Sequence, residues 1–499
     1  MIKKKTNNTE QEKQGVIYSE NIQIPIKTGK NNNALIVGAK DTEMQKRFIE
    51  PNLFQANDSY VVAGIPEISV LRMQDKMIEN GCNIQILDLD GYMSTVQYDP
   101  LKHIDKHCHT EEDAKKIVDC IINNTLDNSH LDSLELQLEK ILLTSLILYL
   151  VEIADESVCN LNTILWMLKL AYILPANARA RPSQYTYYCS NGFDVNNHLD
   201  ELFNGQKEIV QTICYGTNQK HLNYEDINSN NDSVNLRSPS PDVDGVSGSP
   251  YTSIDEESKL QDLLCDSLCL RQYQLFKCSD IKTQKKVITD AIMRFSLFTD
   301  IYKYEKGKTS YQKSNINDEL DIQSLRQPKS CLFIACSKAS KATKVLTAIL
   351  ISQIYDSLTR EPYESHQKNH VKIIVDGVND ACCIHELKYM LTSCQNHNMS
   401  FDMLLPSITI AEEIYDDWNY ISQAFNVYVC FDAIDEYTAE YFTQRIKNNM
   451  KNKYAFQKNK YAVACIQKIL DKDEIMIMSD YDCLIIINKI GQFTDMKKR

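Results

Sequence analysis

Residues 31–55, NNNALIVGAKDTEMQKRFIEPNLFQ, set out a strand, a loop and a helix in the order that proteins use to hold a phosphate. Ala34, Leu35, Ile36 and Val37 form a short apolar run into Gly38, a mostly polar loop follows, and a helical stretch with an apolar face ends at Pro51. In a working loop, G-x-x-x-x-G-K-[ST], glycines let backbone N–H groups curl around the phosphates. The lysine reaches the β and γ oxygens, and the hydroxyl holds Mg²⁺. Counted from Gly38, the second glycine is Glu43, the lysine is Met44 and the hydroxyl is Gln45.

These replacements repel an anion as well as failing to attract one. Glu43, with Asp41 nearby, puts carboxylates where phosphate would sit, and like charges about 4 Å apart repel by roughly 4 kcal/mol at an effective dielectric near 20. A non-glycine residue in left-handed geometry adds about 1–2 kcal/mol. Together these terms offset most of a micromolar affinity, which is about 8 kcal/mol. Lys46 cannot supply the missing charge, because two positions along a helix turn a side chain about 200° away. Lys40, earlier in the loop, is the one cation placed to do so.

The chain has 499 residues, too many for one ordinary core, so two or three domains are expected. Lys and Arg number 54 against 67 Asp and Glu, a net charge of −13, which argues against a surface that wraps nucleic acid over a large area. The 17 cysteines follow a polar N-terminus, MIKKKTNNTEQEKQ, with no signal-peptide pattern, and are expected as reduced thiols in a cytosol. Ile141–Val151, bounded by Glu139, Lys140 and Glu152, is shorter than the roughly 18 residues that span a bilayer and reads as a buried helix. No transmembrane segment is expected.

Short apolar strands recur at Ala34–Val37, Tyr60–Val62, Ile84–Leu87, Cys331–Ala335, Lys372–Val375, Met403–Leu405, Val427–Phe431 and Leu484–Ile487. Separated by helical patterns, they predict an α/β fold whose mostly parallel sheet is covered on both faces. Between the two groups, residues 101–325 show helical periodicity at Glu112–Ile122, Leu131–Val151, Leu161–Ala171, Lys259–Phe276 and Lys282–Phe298, and almost no strand signal. Thr110 and Asp113 have capping-box spacing. Residues 228–253, around SPSPDVDGVSGSP, are too polar to offset chain entropy and read as a disordered loop, as do residues 1–14.

Taken in order, NNNALIVG, RFIEPNLFQANDSYVV (Arg47–Val62), the YDP of Tyr98–Pro100, NDELDIQSL with KSCLF (Asn317–Phe333), VKIIVDG (Val371–Gly377) and DEYTAEYFTQRI (Asp435–Ile446) resemble the type IV secretion coupling proteins of the TraG/TraD kind. Those are conjugative DNA-transfer ATPases. The resemblance runs from about Gly15 to about Ile490. It implies a RecA-like P-loop NTPase fold over 15–100 and 326–499, with an inserted all-α domain over 101–325. It also implies ATP and Mg²⁺ as cofactors, a hexameric ring at the inner face of the membrane, and relaxosome or secretion proteins as partners.

Where the family carries its phosphate-loop lysine and hydroxyl, this chain has Met44 and Gln45. Its Asp-Pro-Lys-Gly-Glu turn falls on Gly64, Ile65, Pro66, Glu67 and Ile68. Asp376 stands at the Mg²⁺-binding aspartate of a Walker B motif, but the catalytic glutamate beside it is Gly377. The downstream arginines fall on Gln395 and His397, and the glutamine of the next strand end on Pro406. Phosphoryl transfer rests on positioning and charge, so these losses predict a pseudo-ATPase scaffold in the cytoplasm, with no cofactor expected. Asp376 then remains as a vestigial catalytic residue, beside a degenerate nucleotide loop of Gly38, Lys40, Glu43, Met44 and Gln45. Two rivals stand beside it: an active DNA-translocating ATPase that uses Lys40, and a silent subunit in a mixed ring with an intact paralogue.

Other patterns carry less. The GKT at Gly307–Thr309 has no preceding apolar strand and reads as a solvated loop. His103, His107 and His109 with Cys108 could place imidazoles one turn apart for zinc, but a second ligand cluster is missing. Cys265, Cys269, Cys382 and Cys383 lack the spacing of zinc knuckles and read as buried thiols.

Overall fold

The computed structural model describes residues 15–26, 29–38, 44–89, 93–125, 133–154, 158–172, 198–203, 267–298, 319–336, 340–360, 369–377, 382–433, 435–451, 470–479, 481–488 and 490–498. The segments read from sequence as disordered, 1–14 and 228–253, and the GKT at 307–309 lie outside them. The chain divides into two compact units, one from Met1–Tyr98, Asp119–Thr125 and Asp300–Arg499, the other from Asp99–Val118 and Leu126–Thr299.

The first unit is built on a nine-stranded sheet. Its strands are β3 (Ala34–Val37), β4 (Ser59–Ile65), β5 (Asn83–Asp88), β6 (Ser330–Ala335), β7 (Val371–Asp376), β8 (Met399–Leu405), β9 (Val427–Cys430), β10 (Asp482–Ile487) and β11 (Gly491–Met496), in the order β11-β10-β9-β3-β8-β7-β4-β6-β5. From β5 through β9 every neighbouring pair is parallel, while β10 and β11 join antiparallel. Strands β3, β4, β6, β7, β8 and β9 are buried at every position. That burial explains their continuous Val, Ile and Leu runs, since a strand covered on both faces has no polar alternation.

All eight strands read from sequence are present. The sequence reading missed β11, whose GQFTDM has no apolar run, and a two-stranded ribbon of β1 (Val16–Ile17) and β2 (Gln23–Ile24). One face of the sheet packs Ala34, Ile36, Val62, Ile374 and Leu404 against Met44, Phe48, Leu53 and Met73.

The first helix differs from expectation in an instructive way. It does not end at Pro51 but opens as a π turn over Gln45–Ile49, with the Glu50 N–H donating to the Gln45 carbonyl, and continues as α-helix over Glu50–Leu53. An α-helix from Gln45 would require Pro51 to donate to the Arg47 carbonyl, which it cannot do. The wider turn moves the proline to the start of the following α segment, where a missing donor costs little.

Among its described residues the second unit is helical: Leu134–Glu152, Leu161–Leu170, His198–Phe203, Leu268–Lys277 and Ile281–Ser296. Side chains of Ser133, Asn160, Ser267 and Asp280 cap four of these, each accepting from a backbone N–H three residues on. Leu134–Glu152 is apolar nearly all round because Leu268–Lys277, Ile281–Ser296 and Leu161–Leu170 pack on it. Thr110 donates its hydroxyl to the Asp105 carbonyl, and Asp113 accepts from the Asp105 N–H, so both brace the turn before helix Thr110–Asn123. Among the described residues no helix is long and apolar enough to cross a membrane.

Candidate functional site

Parallel sheets present ligand sites at the carboxyl ends of their strands, near the point where chain direction across the sheet reverses. In this sheet β3 leads towards β4 on one side and pairs with β9 on the other, so that point falls beside Gly38. The Gly38 N–H donates to the Leu405 carbonyl at 3.0 Å, and the Phe431 N–H donates to Val37 at 2.8 Å, fixing the three strand ends side by side.

Met44, which the sequence reading sets at the lysine's position, is 1% exposed and belongs to the apolar cluster with Phe48, Ile49 and Phe431. Its sulfur lies against the Gly38 backbone, where a Cβ on Gly38 would stand 2.9 Å from Sδ. The Met44 side chain is part of the core. Gln45, set by the sequence reading at the hydroxyl's position, is equally buried. Its Nε2 donates to Asp376 Oδ2 at 2.8 Å, and its Oε1 accepts from Ser69 Oγ at 2.6 Å.

Asp376 closes β7 with no solvent exposure. Gly64 makes room for it: φ is +83°, the register of β4 against β6 shifts between Ala63 and Ile65, and a Cβ on Gly64 would sit 2.3 Å from the Asp376 carbonyl oxygen. Only glycine meets both the dihedral and the contact. Pro66 follows in extended geometry and starts helix Glu67–Glu79, whose first turn carries Ser69. A glycine inside a strand pattern is a readable sign of close backbone approach, and it could have revealed the role of Gly64. Ser69 gives no such sign.

The structure thus brings together Gly38, Met44, Gln45 and Asp376. Lys40, Asp41 and Glu43 lie outside the described residues. Gln395 and His397 sit on the turn Cys394–His397, where Gln395 donates to the Thr392 carbonyl, and Pro406 directly follows β8.

The histidines do not converge. His103 ends a 3₁₀ turn over Pro100–His103, the His107 N–H donates to Asp105, and the His109 ring meets Glu112 at 3.3 Å on an exposed face. Among the described residues no group of three or more His, Cys, Asp or Glu could hold a metal ion. Cys269 and Cys382 are buried and in no disulfide, Cys383 is half-buried, and Cys265 lies outside the described residues. Burial pushes the thiols of Cys120 and Cys483 up to about 12 and that of Cys269 to about 11, which makes them poor nucleophiles.

No protein-family model and no curated protein matches the sequence. Solved structures do. The bacterial conjugative coupling protein TrwBΔN70, in a trigonal form with sulphate, superposes with a TM-score of 0.54 at 9% identity, covering 98% of this chain and 90% of that one. The plasmid coupling protein TrwB in complex with ADP and Mg²⁺ gives 0.53 at 11%, again covering 98% and 90%, and its complex with the GTP analogue GDPNP gives 0.53 at 10%. With a mostly parallel sheet and a helical second unit matched along nearly the whole length, the chain has the RecA-like fold of the type IV coupling proteins.

Proposed function

We propose that this chain is a coupling-protein-like component of a type IV secretion or conjugation apparatus, in which a nucleotide-binding framework serves as an interaction scaffold and hydrolysis has been lost. The observation that carries this reading is the Gln45–Asp376 hydrogen bond of 2.8 Å, with Met44 buried beside it. A site for Mg-ATP needs a carboxylate open to the metal's hydration shell and an ammonium aimed at the phosphates. Here the carboxylate is occupied by an amide and the ammonium is replaced by a thioether in the core. The residues do not fit the cofactor. Gly377, Gln395 and Pro406 supply neither a general base nor a cation for the transition state.

In this reading residues 15–100 and 326–499 form the RecA-like domain and 101–325 the inserted all-α domain. The chain acts in the cytoplasm, held at the inner face of the membrane through secretion or relaxosome proteins, or in a hexamer with an intact paralogue. The test is steady-state phosphate release by the full chain, with and without single-stranded and duplex DNA. Turnover no higher than that of Asp376→Ala is expected. Turnover that DNA stimulates and Asp376→Ala abolishes would restore the motor.

A further inference from the structure

We propose that the Gln45 carboxamide is a resident substitute for a divalent cation, tying the end of β7 permanently to the helix that follows β4. The idea deepens the closed-site reading above and rests on it. Three segments distant in sequence meet in one buried chain of hydrogen bonds: Ser69 Oγ donates to Gln45 Oε1 at 2.6 Å, and Gln45 Nε2 donates to Asp376 Oδ2 at 2.8 Å. Ser69, Gln45 and Asp376 are 2%, 1% and 0% exposed.

A carboxylate with no solvent needs positive charge or donors close by. A metal provides this reversibly and makes the local structure depend on ligand. An amide provides it at all times, because its donor and acceptor are carried by the chain. Gln45 also has the right polarity at each end, its NH₂ facing the carboxylate and its carbonyl facing the hydroxyl. The π turn that begins at Gln45 sets the position of this side chain in the first turn of the helix, and Gly64 lets β4 approach the Asp376 backbone from the other side.

If Gln45 stands where a cation would, replacing it with a carboxylate should both break the tether and create a cation site from two facing carboxylates. Hydrogen exchange of the full chain, read by mass spectrometry over Val371–Asp376 and Glu67–Glu79, tests this with Mn²⁺ as the only probe. Gln45→Glu is expected to raise exchange in both segments by about tenfold or more, and millimolar Mn²⁺ to reverse the rise while leaving the wild type unchanged. A Gln45→Glu protein indifferent to Mn²⁺, or a wild type that Mn²⁺ protects, would overturn the proposal. Should Gln45→Glu not fold even with Mn²⁺, Gln45→Ala decides: exchange must rise in both segments, and a rise in one alone ends the idea of a tether. No nucleotide enters this experiment, so its failure is distinct from failure of the closed-site reading, which would appear as Mg-ATP binding.

Discussion

Strand β7 buries polar groups at both ends and neutralises them in different ways. Near its start, Lys372 meets Asp402 of β8 at 2.8 Å, with the two side chains 1% and 0% exposed. At its end, Asp376 meets the neutral amide of Gln45 at the same distance. The first pair is charge against charge inside the core, where desolvation takes back most of the Coulombic gain. The second gives a carboxylate a neutral amide as a donor. A carboxylate that is to bind metal must wait for its partner, whereas Asp376 already has one. Under the proposed function, the contrast makes the carboxyl end of β7 a ligand position converted to structure and the other end structure throughout.

The largest effect is expected from breaking the charged pair. Lys372→Ala leaves Asp402 buried without its ammonium and should cost about 3–5 kcal/mol, whereas Lys372→Met combined with Asp402→Leu should come within about 1 kcal/mol of the wild type or exceed it. Urea unfolding followed by a probe in the sheet unit measures both. Burial raises the Asp402 carboxyl above its usual range, and Lys372 offsets part of that rise. A raised folded value means that this group's contribution is complete below about pH 3.9 and is lost as pH rises through the folded value. Lys372→Met removes the offset, so its stability should fall more steeply than the wild type's as pH rises from 4 to 8, taking those limits as roughly the working range.

Next in size is Gly64→Ala. Its Cβ would meet the Asp376 carbonyl at 2.3 Å in a residue held at φ +83°, and the expected loss is about 2–4 kcal/mol. A loss as small as that of a surface substitution would mean that β4 does not approach the site as described.

Ser69→Ala should do least, about 1 kcal/mol, because it removes one neutral hydrogen bond and leaves the Gln45 donor on Asp376 in place. If Ser69→Ala cost as much as Lys372→Ala, the ordering drawn from the two ends of β7 would be wrong.

Much of this architecture is legible in the sequence, for reasons specific to each part. VKIIVDG reads as a buried strand because Ile373, Ile374 and Val375 run without polar alternation, and the same holds for ALIV and for DCLIII in β10. Lys372 hides in that run. Nothing local says that its partner lies 30 residues on, so the ion pair could not be foreseen. Strand β11 escaped because it is an edge strand whose residues alternate irregularly. The helix beyond Pro51 escaped because the rule against interior proline assumes α geometry, and a π turn changes which carbonyl loses its donor.

At the site, Met44, Gln45 and Asp376 are singled out in the sequence by their positions in the register of a phosphate-binding pattern. That Gln45 bonds Asp376 across a separation of 331 residues required the strands to be placed side by side. Met44 packs against Gly38 and within the cluster of Phe48 and Phe431, a placement its position in the sequence does not announce. Replacing a lysine by a methionine removes a charge and also supplies a side chain that a core can absorb.

The most direct measurement is a thermal-shift titration of the full chain with Mg-ATP, repeated on Lys40→Ala. No shift is expected in either protein. A saturable rise corresponding to about 2.7 kcal/mol at a hundred times the dissociation constant, present in the wild type and absent from Lys40→Ala, would contradict it and establish a nucleotide site served by a relocated lysine.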